Sequence, residues 1–77
     1  MTSRTSFRIY SPESIGAAIR HYRKQAGLSQ ADLAHEAGIS REYLSRLENG
    51  QETEQLRRIL RLLRRLGLRM SIQEADW

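Results

Sequence analysis

The chain has 77 residues and no cysteine, so it is long enough for one small domain but has neither a disulfide framework nor a thiolate metal site. Its net charge is +4 and its pI is about 10.3, and twelve of its thirteen basic residues are arginine, whose planar fork suits phosphate and guanine. No segment resembles a signal peptide or a membrane span, which predicts a cytoplasmic protein that does not act at a membrane.

Residues 1–10 are predicted to form a polar arm that ends in a short strand. Apolar and polar side chains alternate over Phe7–Tyr10, as they do in strands. A helix then begins, because Ser11 is a favoured N-cap residue and Pro12 is favoured at the first helical position. The apolar repeat that follows predicts that this first helix extends to Ala26.

Two short helices are predicted next, each opened by a serine and closed by a glycine. Ser29 caps the helix Gln30–Ala37, and Ser40 caps the helix Arg41–Glu48. The turn between them contains Gly38, and two helices joined by such a short glycine turn form a helix-turn-helix unit. The side chains predicted to face inward are Leu33, Ala34, Ala37, Ile39, Leu44 and Leu47.

A fourth helix is predicted from Glu54 to Leu66, with Thr53 as its N-cap. Its apolar stripe is wider than one small core needs, which suggests a second apolar surface such as a dimer contact. Alternation over Leu68–Gln73 then predicts a half-buried strand. One strand cannot form a sheet, so this strand must pair with Phe7–Tyr10, with its own copy in a second chain, or with another protein.

The third predicted helix has a polar face that the core does not need. The side chains that share this face are Arg41, Glu42, Ser45 and Arg46. A helix with such a face can enter the major groove of DNA, and the glycine turn, the small alanines and the basic pI favour that interpretation over an ordinary solvated surface. The two histidines lie on different helices without a nucleophile or a suitably spaced carboxylate, so we predict no enzyme activity, no metal site and no cofactor.

The stretch from Ile15 to Gly50 resembles the Cro/C1-type, or XRE-family, helix-turn-helix through the segments IGAAIRHYRKQAGLSQADLA, AGIS and YLSRLENG. The resemblance implies an all-α, lambda-repressor-like domain of four to five helices that binds double-stranded DNA. Many members begin the fourth helix with proline, where this chain has Glu54. Because Thr53 can still cap that helix, the expected fold is unchanged.

The same resemblance implies roles for individual side chains. Gln30 matches a glutamine that contacts a phosphate or an outer base. The positions that match base-reading residues are Ser40, Arg41, Glu42 and Arg46, and those that match phosphate or groove-wall contacts are Tyr43, Ser45 and Asn49. Arg23 and Glu48 match a pair that links the first helix to the end of the third, and we interpret that pair as structural.

The flanking segments FRIYSPESIGAAIR and LRRILRLLRRLGLRMSI resemble HipB-type antitoxins, in which short C-terminal strands of two chains pair across a dimer. The resemblance implies a helix-turn-helix domain over 11–67, a dimerisation strand over 68–73 and a tail over 74–77. The dimerisation residues would be Leu68, Met70 and Ile72. It also implies a homodimer that binds an inverted-repeat operator, represses its own operon and neutralises a HipA-like serine/threonine kinase toxin.

Trp77 lies in an acidic tail, where it is hard to explain as a core residue. Two interpretations stay open: it anchors in a pocket of the toxin, or it folds back on the dimer.

Two other functions are possible for the whole protein. One is a stand-alone XRE-family regulator of phage-like or metabolic type without a toxin, and the other is a protein-interaction module without DNA. The C-terminal strand and Trp77 argue against the stand-alone regulator. The arginine-bearing face of the third helix argues against the protein-interaction module.

Overall fold

The computed structural model describes residues 6–51 and 54–75, which form four helices flanked by two strands. In chain order these are β1 (Ser6–Ile9), α1 (Pro12–Gln25), α2 (Gln30–Ala37), α3 (Arg41–Glu48), α4 (Glu54–Arg65) and β2 (Met70–Gln73). The predicted bounds of α2 and α3 are confirmed at both ends. The helices α1 and α4 each end one residue earlier than predicted, β1 is shifted by one residue, and β2 begins two residues later. The predicted cap Thr53 and the tail residue Trp77 lie outside the described residues.

Serine side chains fix the starts of the first three helices. Ser11, Ser29 and Ser40 each accept a hydrogen bond from the backbone N–H three residues further on, at 3.2, 3.0 and 3.0 Å. The turn between α2 and α3 depends on Gly38, which adopts the left-handed conformation with φ +72°. The chain can therefore end one short helix and cap the next within two residues, as the helix-turn-helix prediction requires.

The core lies where α1 and α2 pack against α3. Ala18, Ala34 and Leu44 are buried there, and a Cβ atom at Gly16 would overlap the carbonyl oxygen of Leu47, so only glycine lets α1 approach α3 this closely. The prediction that Ala37 faces inward is wrong. Ala37 is exposed because it is the last residue of α2, after which the chain turns away.

The two strands pair with each other in an antiparallel sheet that lies against α1. Phe7 is opposite Ile72 and Ile9 is opposite Met70, and the Phe7 ring packs on Tyr22 of α1 with a centroid distance of 5.6 Å. Of the three partners considered for the second strand, the described chain therefore provides β1. Pairing of β2 across a dimer stays a prediction.

The helix α4 packs less completely than the other three. Its inner side has the half-buried residues Leu56, Leu60 and Leu63, and every residue of the helix is at least partly exposed. A second row of apolar side chains points away from the core: Ile59, Leu62 and, just beyond the helix, Leu66 are 40%, 65% and 68% exposed. The predicted excess of apolar surface is thus present.

Over residues 6–51 and 54–75, each helix is too short or too polar to cross a membrane.

Candidate nucleic-acid interface

A buried ion pair joins α1 to the end of α3. Arg23 Nε lies 2.6 Å from Glu48 Oε2, and a second guanidinium nitrogen donates to Glu48 Oε1 at 3.0 Å. Arg23 also donates to the carbonyl of Leu28 at 2.9 Å, which ties the pair to the residue before the α2 cap. Only 10% of the Arg23 side chain and 2% of the Glu48 side chain are exposed. The structural role predicted for this pair is confirmed.

The electrostatics keep Glu48 ionised. The hydrogen bond from Arg23 lowers the pKa of the Glu48 carboxyl below its ordinary value, against the opposing effect of burial. The same hydrogen bond raises the pKa of Arg23. The pair is bidentate and shielded from solvent, so it holds the C-terminal end of α3 in a fixed position against α1.

Gln30 belongs to this network as well. Its side-chain amide nitrogen donates to Glu48 Oε1 at 3.0 Å, and the side chain is half-buried at the first position of α2. The sequence does not predict this bond, because the spacing between Gln30 and Glu48 does not indicate that the two residues meet. The bond leaves one amide hydrogen and the carbonyl oxygen of Gln30 available for another partner.

Gln30 and the polar face of α3 together form a shallow concavity of about 320 Å³. Its lining residues are Gln30, Arg41, Glu42, Ser45 and Arg46. The two arginines and Glu42 are exposed, and Ser45 is half-buried. The four α3 residues predicted to share one face therefore do so, and α2 adds the predicted glutamine beside them. The surface presents guanidinium donors, a carboxylate acceptor and an amide, which are the groups that read base edges in the major groove.

Three further residues with predicted DNA roles lie on α3 or at its ends, outside this concavity. Ser40 is the N-cap of α3, and its oxygen accepts the backbone N–H of Tyr43 at 3.0 Å. Its hydroxyl hydrogen can still be donated elsewhere. Tyr43 lies within α3 and is 37% exposed, and Asn49 is the exposed C-cap residue of the same helix. These positions flank the concavity rather than form it.

Among the described residues, no three histidine or acidic side chains come close enough together to hold a metal ion. The predictions that the protein is not an enzyme and needs no cofactor stay predictions.

Comparison with known proteins identifies the family. The family described as Helix-turn-helix domain matches residues 14–74. The chain belongs to this helix-turn-helix family. It is 38% identical over 65 residues to the HTH-type transcriptional regulator y4mF of Sinorhizobium fredii, which covers 84% of this chain and 86% of that protein. It is 32% identical over 68 residues to Antitoxin HipB of Escherichia coli, which covers 88% of this chain and 77% of that protein.

A shorter similarity links the regulator to HTH-type transcriptional regulator SinR of Bacillus subtilis, with 44% identity over 39 residues, 51% of this chain and 35% of that protein. No solved structure matches the chain. The predicted Cro/C1-type family and all-α helix-turn-helix fold are confirmed. The regulator is a member of a family of DNA-binding transcriptional regulators.

Proposed function

We propose that this regulator is a dimeric, sequence-specific repressor that acts as the antitoxin of a HipA-like serine/threonine kinase and represses its own operon. The concavity in which Gln30 meets the polar face of α3 carries the DNA-binding part of the proposal. The antitoxin part of the proposal is supported by the share of the chain that the similarity to an antitoxin covers. The similarity to Antitoxin HipB spans 88% of the chain and so includes most of both flanks, whereas the similarity to SinR spans 51%.

In the proposed complex α3 lies in the major groove. Arg41 and Arg46 donate to guanine edges or nearby phosphates, and Glu42 accepts from the amino group of cytosine. Ser40, at the N-terminal end of α3, contacts the bases as well in this complex. Residues proposed to contact phosphates or the groove wall are Gln30, Tyr43, Ser45 and Asn49. The fixed position of Gln30 on Glu48 favours this role, because a contact that is already oriented loses less entropy on binding.

Dimerisation is proposed to involve β2 and the residues that precede it. Leu68 is 55% exposed, and the sheet of β1 and β2 leaves the second edge of β2 without a strand partner among the described residues. Met70 and Ile72 are half-buried on the inner face of the same strand. Since two-stranded sheets are marginal on their own, pairing of β2 with its copy would stabilise both chains. Two α3 helices related by a two-fold axis would read an inverted repeat whose half-sites lie one turn of DNA apart, roughly 34–36 Å, or a multiple of that distance.

The toxin contact is proposed for Trp77, which lies outside the described residues. An aromatic side chain in an acidic segment suits an anchor that enters a pocket of the partner. The test is the affinity of the Trp77→Ala variant for the kinase. Unchanged affinity would remove Trp77 from the interface.

A stand-alone regulator is the second candidate. It is favoured by the identity of 38% to y4mF, which is named only as a transcriptional regulator, against 32% to Antitoxin HipB. Both candidates use the same DNA surface, so DNA binding does not separate them. A kinase-like reading frame beside the gene, and a kinase that co-purifies with the protein, would support the antitoxin. An unrelated neighbour and no co-purifying kinase would support the stand-alone regulator.

The DNA surface is tested with Arg41→Ala and the promoter of the protein's own gene. We expect specific binding to weaken by roughly 1–3 kcal/mol and the preference at one base position to relax. Arg65→Ala, an exposed arginine on the last turn of α4, is the control and should leave the base preference unchanged. Equal weakening on all DNA sequences would assign Arg41 to phosphate contacts, and no binding to the promoter at any salt concentration would contradict the proposal.

A further inference from the structure

Two adjoining concavities lie between α4 and the segment around Tyr10, which joins β1 to α1. One has a volume of about 270 Å³ and reaches the start of β2, and the other has a volume of about 400 Å³ and reaches the start of α1. Tyr10, Leu60 and Arg64 line both concavities, so the two form one continuous depression. None of the residues with a predicted DNA role lines it. We call it the α4–Tyr10 depression.

Exposed arginines from three parts of the chain border the α4–Tyr10 depression. Arg57, Arg61 and Arg64 lie within about 60° of one another around the axis of α4, because a helix turns by about 100° per residue. Arg8 of β1 and Arg69, the residue before β2, line the smaller concavity. Guanidinium-bearing side chains thus line the depression from β1, from α4 and from the end of the loop that follows α4.

The carboxylates near the α4–Tyr10 depression offset little of this positive charge. Glu54 lines the larger concavity, and it pairs with Arg58 of the same helix at 3.4 Å. Arg57 comes within 3.8 Å of Glu13 in an exposed contact, which solvent screens. Across residues 6–51 and 54–75, the other four arginines of the depression form no ion pair. Their N–H groups can therefore donate to an external anion, and the guanidinium fork suits phosphate groups.

The floor of the α4–Tyr10 depression is apolar, and an aromatic ring lies beside it. Leu60 and Leu63 are half-buried, Ile9 is 3% exposed, and Tyr10 is 65% exposed. An exposed tyrosine ring offers a flat surface on which a nucleic-acid base can stack. Arginines beside an aromatic ring are the groups with which proteins bind an unpaired nucleic-acid strand, since they contact its phosphates and its bases at once.

We propose that the α4–Tyr10 depression binds single-stranded nucleic acid, at a site separate from α3. The arginines pair with successive phosphates of the strand, and a base stacks on Tyr10 above the apolar floor. A duplex suits the depression less well, because its bases are already stacked on one another and do not reach the Tyr10 ring. An acidic peptide would pair with the arginines without using the ring as a stacking surface.

The proposed dimer does not require the larger concavity. Leu68 and Met70, which are proposed to contact a second chain, line only the smaller one. Leu62 and Leu66, on the outer row of α4, line neither. A dimer and a bound strand can therefore form on the same chain.

The proposal is tested by the fluorescence anisotropy of a short labelled oligo(dT) with the full chain, over a series of salt concentrations. Each phosphate neutralised in a single strand contributes about 0.7 to the slope of log K against log salt concentration, so Arg61→Gln with Arg64→Gln should reduce the magnitude of that slope by about 1.4. Arg58→Gln with Arg65→Gln removes the same charge from exposed positions of α4 that line neither concavity, and should leave the slope nearly unchanged. Tyr10→Leu should weaken binding by roughly 5- to 150-fold without changing the slope.

No binding of oligo(dT), or equal losses in the two double variants, would overturn the proposal. Binding that Tyr10→Leu leaves intact would also overturn it, since the depression would then attract any polyanion, and so would an unrelated duplex that depends on Tyr10 to the same extent. Arg41→Ala separates this site from the operator surface, because it should relax the preference for the promoter and leave the binding of oligo(dT) unchanged. Loss of oligo(dT) binding in Arg41→Ala would place the strand on α3 instead. Urea unfolding of each variant shows that a loss of binding is not a loss of folding.

Discussion

The unit formed by α1, α2 and α3 and the segment formed by α4 and β2 differ in how completely they are packed. The first unit has three capped helix starts, a glycine contact between α1 and α3, and an ion pair with one partner 2% exposed. The second has a helix whose every residue is at least partly exposed and whose ion pair, Arg58 with Glu54, is 70% and 67% exposed.

This difference in packing corresponds to the two kinds of binding proposed for the two regions, to DNA and to another protein chain. A surface that reads bases has to hold its side chains in a fixed arrangement, and the Arg23–Glu48–Gln30 network does this for one end of α3 and for the start of α2. A surface that associates with another chain has to leave apolar area uncovered in the isolated protein, as Leu62, Leu66 and Leu68 do. The molecule is therefore rigid where it is proposed to bind DNA and incompletely packed where it is proposed to bind protein.

Removal of Glu48 should have the largest effect on stability. Glu48→Ala leaves the guanidinium of Arg23 without its carboxylate partner in a buried site, and breaking one side of a buried pair costs about 3 kcal/mol or more. We expect the free energy of unfolding in urea to fall by that amount. DNA binding should also weaken, because Gln30 loses the acceptor that orients it.

The matched control is Glu54→Ala, which removes the exposed pair at 3.4 Å in α4. Exposed pairs of this kind contribute about 0.5 kcal/mol, so the control should be nearly neutral. Similar losses in the two variants would contradict the contrast between the two regions, since they would mean that burial adds nothing to the Arg23–Glu48 pair.

Low pH should reduce the stability that the same ion pair contributes, with a smaller effect than Glu48→Ala. The hydrogen bond from Arg23 lowers the pKa of Glu48 in the folded chain, so the folded state binds its proton less readily than the unfolded state. The stability that this adds is fully present above the ordinary glutamate pKa of about 4.3 and is lost as the pH falls through the lower, folded value. We expect the stability difference between the native chain and Glu48→Gln to shrink in acid. A difference that stays constant from pH 7 to pH 3 would show that the charge of Glu48 does not matter.

Local signals in the sequence were sufficient to predict the helix-turn-helix unit. Serine caps and glycine ends act within three or four residues, so Ser29, Gly38 and Ser40 placed α2 and α3 correctly without any knowledge of the tertiary structure. Ala37 was misplaced because helical spacing alone does not tell which turn of a short helix touches its neighbour. The ion pair of Arg23 with Glu48 was available only from the family resemblance.

Contacts between distant residues were harder to predict. The bond from Gln30 to Glu48 joins residues 18 positions apart and depends on how α2 and α3 cross, which composition and spacing do not specify. The sequence does not specify the partner of β2 for the same reason, because alternation predicts a strand and its buried face but not the strand beside it. The apolar groove bordered by Ile19 of α1, Leu33 of α2 and Ile72 of β2 is not predicted by the sequence, since it results from the space that the three elements leave between them.

The smallest effect on the isolated chain is expected on the outer row of α4. Leu62 and Leu63 are adjacent leucines on different faces of the helix, about 100° apart around its axis, the first 65% exposed and the second half-buried. Leu62→Gln should change the stability of the monomer by no more than about 0.5 kcal/mol, whereas Leu63→Gln should cost roughly 1–2 kcal/mol. If the outer row covers a partner chain, Leu62→Gln should nevertheless weaken self-association in sedimentation equilibrium, because the lost contact exists only in the dimer. A Leu62→Gln variant that destabilises the dilute monomer as much as Leu63→Gln does would contradict this expectation. It would show that both residues are packed within one chain, and that α4 is packed as completely as α1, α2 and α3.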